Sequence, residues 1–246
     1  LHAVVATTAL ATGACRVPEL QREPWHPLRG GSFALAVKPA LFDDYTLEGD
    51  FVADTPGGLQ QATDSGDVLG KFGVAVRADW HMTDRWSMGV GADLRKYVVR
   101  DLNPIDQLDI RVDDVQSLQY YWALRHQFQP FASSRRLRAY GQAILSWFPT
   151  TDIGFDVTTP IPDEPAIRID TKGEPYWLGA LGTGLLYQWD DHVLLELGVL
   201  REWALTPIEA DLTVEFGPGG PGFEIPFEAS LKPEGWIVFV GLSYTF

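Results

Sequence analysis

The chain has 246 residues, 46% hydrophobic and 12% aromatic, with a formal net charge of −14. That acidic balance excludes nucleic acid as a partner, because binding to a phosphate backbone is carried by clustered Lys and Arg. The single cysteine, Cys15, excludes an internal disulfide, and no apolar run approaches the roughly 18 residues that a transmembrane helix needs.

Leu1 to Ala14 is small, apolar and uncharged apart from His2, and reads as the back half of an export signal. Ala9-Leu10-Ala11 offers a small-residue cleavage site. Thr12-Gly13-Ala14-Cys15 offers instead a lipoprotein cleavage box with Cys15 as the lipidated residue. Residues 1–15 are therefore expected to be an export-signal remnant, the alternative being a buried helix whose cysteine has no role. Residues 16–31 are polar, rich in Pro and Arg and without periodicity, and are expected to form an N-terminal tail.

From residue 32 onward the pattern is that of strands. The first segment, Ser32 to Leu41, is the least regular and contains Pro39. The second sets Phe72, Val74, Val76, Ala78 and Trp80 against Lys71, Gly73, Ala75, Arg77 and Asp79. The third sets Trp86, Met88, Val90, Ala92 and Leu94 against Ser87, Gly89, Gly91, Asp93 and Arg95. In the fourth, Leu118, Tyr120, Trp122, Leu124 and Phe128 oppose Gln119, Tyr121, Ala123, Arg125 and Gln127. The fifth opposes Leu137, Ala139, Ala143, Leu145 and Trp147 to Arg138, Tyr140, Gln142 and Ser146. The sixth opposes Trp177, Leu181, Leu185, Tyr187 and Trp189 to Ala180, Gly182 and Gly184. The seventh opposes Val193, Leu195, Leu197 and Val199 to Glu196, Gly198 and Glu202.

The eighth segment closes the chain. Trp236, Val238, Val240, Leu242, Tyr244 and Phe246 form an apolar face with aromatics at both ends, as a bilayer-crossing strand requires. Its eleven residues, ten rises of roughly 3.3 Å tilted about 40°, span about 25 Å, the height of the apolar band of a membrane barrel. Here the chain resembles the small outer-membrane β-barrels of Gram-negative bacteria, the OmpA, OmpX and OmpW group, in which a closing strand ending in Phe is the insertion signal. Pro233 and Trp236, leading into Gly241, Tyr244 and Phe246, look most like the OmpW end of that group. The resemblance implies an all-β, eight-stranded antiparallel up-and-down transmembrane β-barrel over residues 32–246. It also implies outer-membrane lipids and lipopolysaccharide as surroundings, and recognition of the strand ending at Phe246 by the barrel-insertion machinery.

Short links near 81–85, 129–136 and 190–191 alternate with long ones near 42–69, 98–116, 148–175 and 205–234. That alternation predicts four long external loops and periplasmic termini. In that orientation Trp80, Trp86, Phe128, Tyr187, Trp189, Tyr244 and Phe246 gather at the periplasmic rim. Phe72, Tyr120, Trp122, Trp147, Trp177, Trp203 and Trp236 gather at the outer rim. A soluble barrel has no reason to sort its tryptophans into two such girdles.

The face turned away from lipid carries Arg77, Asp79, Asp93, Arg95, Arg125, Arg138, Glu196 and Glu202. An eight-stranded barrel is just filled by its own side chains, so these charges must pair. Three readings stay open: a salt-bridge network that plugs the lumen, leaving a structural or surface-interaction role; a narrow channel for small solutes or ions; and a ligand pocket. The long links hold 24 of the 33 Asp and Glu but only 5 of the 19 Lys and Arg. They read as a solvated acidic face, as weak divalent-cation sites around Asp43, Asp44 and Asp50, or as an attractor of cationic ligands. No dedicated calcium-loop spacing occurs, and no cofactor is expected. Lipid A-modifying barrels, which the resemblance brings to mind, use a Ser and a His in the outer half. Here His2, His26, His81, His126 and His192 all fall in the tail or at the periplasmic end, far from Ser65 and Ser117, so no enzymatic activity is expected.

Overall fold

A computed structural model describes residues 30–55, 58–105, 108–130, 136–149, 151–152, 156–158, 166–170, 175–216 and 223–246. The export-signal reading, Cys15 and most of the tail lie outside the described residues, as do the side chains of Asp43 and Asp44.

Eight long strands build the wall: β1 (Phe33–Thr55), β2 (Gly58–His81), β3 (Trp86–Ile105), β4 (Leu108–Phe128), β5 (Leu137–Phe148), β9 (Tyr176–Gln188), β10 (Val193–Ala204) and β12 (Phe223–Thr245). Between them lie the shorter β6 (Thr151–Asp152), β7 (Asp156–Thr158), β8 (Ala166–Asp170) and β11 (Ile208–Phe216). The long strands pair antiparallel in the order β1-β2-β3-β4-β5-β9-β10-β12, and β12 returns to β1 with Ala34 opposite Thr245. The sheet is thereby a closed eight-stranded up-and-down barrel, which leaves no edge in its wall.

The period-two sequence pattern makes this wall two-faced. Along β4, Gln119, Tyr121, Ala123, Arg125 and Gln127 are buried while Leu118, Tyr120, Trp122, Leu124 and Phe128 are exposed. Along β12, Ile237, Phe239, Gly241, Ser243 and Thr245 are buried while Val238, Val240, Leu242, Tyr244 and Phe246 are exposed. The arrangement inverts a water-soluble protein: charge is inside and a continuous apolar belt is outside.

Several strands run well beyond the alternating segments. β1 and β2 continue as a hairpin up to Thr55 opposite Gly58, joined by two residues, and β1 stays paired with β12 as far as Ala53 opposite Phe227. Register shifts between Asp43 and Thr46 on β1, and between Gly70 and Phe72 on β2, mark where barrel wall passes into this extension. There β11 takes over from β10 beside β12, Ile208 standing opposite Leu231, and β8 adds to β11. β6 and β7 add to β4.

At the opposite end the connections are tight. Thr83 Oγ1 accepts the backbone N–H of Arg85 and of Trp86, and Asp190 Oδ1 accepts those of His192 and Val193. A hydroxyl in one turn and a carboxylate in the other thus satisfy the amides two and three residues further on. Both ends of the barrel domain are here too, Phe246 donating its N–H to the Phe33 carbonyl.

Candidate functional site: the ion-paired lumen

Glu196 is the hub of the interior. It stands on β10, facing inward because Leu195 and Leu197 face out. Arg125 Nη2 from β4 donates to its Oε1 at 2.5 Å, and Tyr140 Oη from β5 donates to the same oxygen at 2.6 Å. Lys38 Nζ from β1 lies 2.6 Å from Oε2, and Arg77 Nη2 from β2 lies 3.7 Å from it. Arg77 Nε also donates to Asp79 Oδ2 at 2.8 Å. Gln142 Oε1 joins the two guanidiniums, accepting from Arg125 Nη2 at 2.9 Å and from Arg77 Nη1 at 3.3 Å. The Arg125 guanidinium also lies 3.9 Å from the centre of the Tyr140 ring, a close cation–π contact.

A second cluster stands toward the extension. Arg95 Nη1 and Nη2 donate to Glu202 Oε1 and Oε2 at 2.6 and 2.9 Å, a two-pronged pair across the lumen from β3 to β10. Arg95 Nε donates to Asp93 Oδ2 at 2.7 Å, and Gln119 Nε2 donates to that same oxygen at 2.7 Å. Phe148 and Tyr176, stacked with centroids 4.2 Å apart, are both buried beside it, and the Arg95 guanidinium lies 5.9 Å from the Phe148 ring centre.

Glycines make room for rings along the inner wall. A Cβ at Gly184 or at Gly198 would land on the Tyr140 hydroxyl, and one at Gly91 would land on the Tyr121 ring. Tyr121 is the cross-strand partner of Gly91, and Tyr140 that of Gly184, so glycines on one strand receive rings that lie over them from the strand alongside.

Seven of the eight lumen candidates, Arg77, Asp79, Asp93, Arg95, Arg125, Glu196 and Glu202, are brought together in these two clusters. Arg138 is not. It lies at the short-turn end and donates from Nη1 to the Asp84 carbonyl at 2.8 Å. Lys38 takes its place, so four cations face four carboxylates after all. Alternation around Pro39 could have revealed it, since Val37, Pro39 and Leu41 face outward and Lys38 is 4% exposed. Phe148 and Tyr176 were also missed, because they stand where the alternating pattern fades.

Outside the barrel, Trp86 packs on His126 with centroids 4.6 Å apart, and His192, Tyr244 and Phe246 form a chain at 5.5 and 5.0 Å. These lie beside the short turns with exposed Trp80 and Trp189. Trp122, Trp147 and Trp177 lie further up the wall, Trp177 being 6.0 Å from Trp122 and 6.4 Å from Trp147. Trp203 and Trp236 are half-buried, and Arg201 lies 5.6 Å over the Trp236 ring while pairing with Glu234 at 2.6 Å.

The extension is acidic, and its described acids are partly engaged. Asp50 accepts from Thr63 at 2.9 Å and from Lys232 at 3.4 Å, contacts that hold its carboxyl below the ordinary aspartate value. Among the described residues no group of three or more His, Cys, Asp or Glu is placed to hold a metal ion.

Fold and interior together define the outer-membrane type of eight-stranded barrel: apolar belt outside, paired charges within, short turns at one end and long hairpins at the other. The chain is similar to the crystal structure of the outer membrane protein OprG from Pseudomonas aeruginosa, with a TM-score of 0.53 and 14% identity over 90% of this chain and 98% of that one. AlkL, an outer membrane protein, covers 89% of this chain and 91% of its own at 15% identity and a TM-score of 0.44. The outer membrane protein W of E. coli covers 89% and 99% at 15% identity and a TM-score of 0.38. No family model and no curated protein matches the sequence. Identities this low establish the fold and nothing finer, and the OprG likeness is the one that carries it.

Proposed function

We propose that this protein resides in a bacterial outer membrane as a barrel whose lumen is closed by ion pairs, and that its work is structural and at the surface. The observation that carries this reading is the convergence of Lys38, Arg77 and Arg125 on Glu196, a carboxylate with no exposed side-chain surface. Links from three other strands to one buried acceptor close the lumen and tie its walls together. The exposed apolar belt supports the location, since a surface of Leu, Val, Trp and Tyr of this extent is stable against lipid and not against water. Short turns beside both chain ends support periplasmic termini, with the strand ending at Phe246 as the segment the insertion machinery reads. The acidic extension then faces outward, where it attracts divalent cations or cationic ligands and meets lipopolysaccharide.

Planar-bilayer recording of the refolded protein tests the closed lumen. The expected result is silence from protein whose heat-dependent gel mobility shows it folded; discrete openings of the wild type would overturn the reading.

A further inference from the structure

The lumen is closed at two heights. Glu196 and Glu202 both stand on β10, about 20 Å apart along the strand. Glu196 gathers the cations of β1, β2 and β4, and Glu202 takes Arg95 from β3, diametrically across the barrel with three strands between them on either side.

Between the two clusters lies a cavity of about 50 Å³, touched by Lys38 and Arg77 from one and by Asp93, Arg95 and Glu202 from the other. Five buried side-chain atoms among its lining residues have no hydrogen-bond partner: Lys38 Nζ, Arg77 Nη2, Gln142 Nε2, Asp93 Oδ1 and Gln119 Oε1, the first two keeping their ion pairs with Glu196. Three are donors and two are acceptors. A lone ion of either sign would satisfy only one kind, whereas water satisfies both. At roughly 10–15 Å³ for each water, the cavity takes about three to five. Toward the short turns a further set of buried atoms lacks partners, both ring nitrogens of His81, Ser87 Oγ and Gln127 Oε1, facing the lumen across from Leu186 and Leu194. Hydratable groups therefore line the lumen on both sides of the Glu196 cluster.

We propose that the lumen is a water-lined path for small ions interrupted by two ion-pair barriers in series, the Glu196 cluster and the Arg95–Glu202 pair, with a water-holding chamber between them. This rests on the closed-lumen reading and adds that neither barrier alone decides conduction. Opening one leaves the other in the path, as two resistances in series do.

The test compares Glu196→Gln, Glu202→Gln and the double variant in planar bilayers. Each single variant is expected to stay silent like the wild type, with a background leak within about twofold of it, and the double to carry at least about tenfold that leak in discrete openings. The double should favour chloride over potassium, because Lys38, Arg77, Arg95 and Arg125 then face only Asp79 and Asp93. A single variant that conducts as well as the double would leave one barrier, and a folded but silent double would remove the chamber from any path. Either result overturns the proposal, whereas openings of the wild type overturn the closed lumen itself. Should the double not fold, Arg95→Gln with Glu202→Gln, combined with Arg125→Gln and Glu196→Gln, removes one charge of each sign at each barrier and gives the same comparison. On a Cys15→Ser background, Gln119→Cys lines the chamber and should react with a small charged thiosulfonate reagent, supplied on both sides, when either barrier is open and slowly when both are closed. Equal reactivity in every background counts against the barriers.

Discussion

Glu196 and Glu234 show how much position decides the worth of an ion pair. Both accept an arginine at 2.5–2.6 Å, but Glu196 is buried among three cations whereas Glu234 has half its side chain in solvent. Removing a buried partner leaves uncompensated charge in a place water reaches poorly, at a cost of about 3–5 kcal/mol. Removing an exposed one costs about 0–1 kcal/mol. Glu196→Ala is therefore expected to lower unfolding stability in lipid vesicles by about 3–5 kcal/mol, and Glu234→Ala by about 1 kcal/mol or less, as urea titration would read. Equal losses would mean that the interior network is wetter than its burial implies.

Among the elements, the hairpin joining β9 to β10 carries its own pH dependence. Two backbone amides donate to the exposed Asp190 carboxylate and hold its pKa below the ordinary value. A carboxyl depressed in the folded state contributes stability that is full above its unfolded pKa of about 3.9. That contribution is lost as pH falls through the lower folded value. Asp190→Ala should thus lose stability at neutral pH while showing a smaller further loss on acidification to about pH 2 than the wild type, read from melting at the two pH values. An unchanged acid response would assign that loss to other carboxylates.

The strands also show what was legible in the sequence. Strand faces were readable wherever one side meets lipid and the other the lumen, because two different solvents stamp two different alphabets on odd and even positions. β4 and β12 could be assigned residue by residue for that reason. Above Asp43 and Gly70 the alternation of apolar and polar residues fades, and the stretch read as a long link near 42–69 is a paired hairpin that continues the wall. Arg138 faced the lumen in the pattern, but its height on β5 put its guanidinium at the rim beside Asp84. Facing follows from parity alone, whereas height depends on the stagger between neighbouring strands, which sequence does not spell out.

For the whole molecule, the apolar belt and its two aromatic sets fix a depth in the bilayer. Trp80, Trp86 and Trp189 near the short turns, and Trp122, Trp147 and Trp177 further up, are all on the outside wall. In vesicles of brominated lipid, tryptophan emission should be quenched more by bromine near the headgroup than by bromine near the chain end. Stronger quenching by the deep label would mean that the two sets do not mark the interfaces.

The interior charges are also divided by chain order. Lys38, Arg77, Arg95 and Arg125 all belong to β1–β4, accompanied only by Asp79 and Asp93, while Glu196 and Glu202 come with β10. The first half of the barrel thus carries a surplus of two positive charges into the lumen, and the second half supplies the two negative ones. An incomplete sheet that lacks β10 holds a repelling interior. Neutrality arrives with the strand that lets β12 reach β1, so the same carboxylates that close the lumen also make the final hairpin the one that assembly waits for.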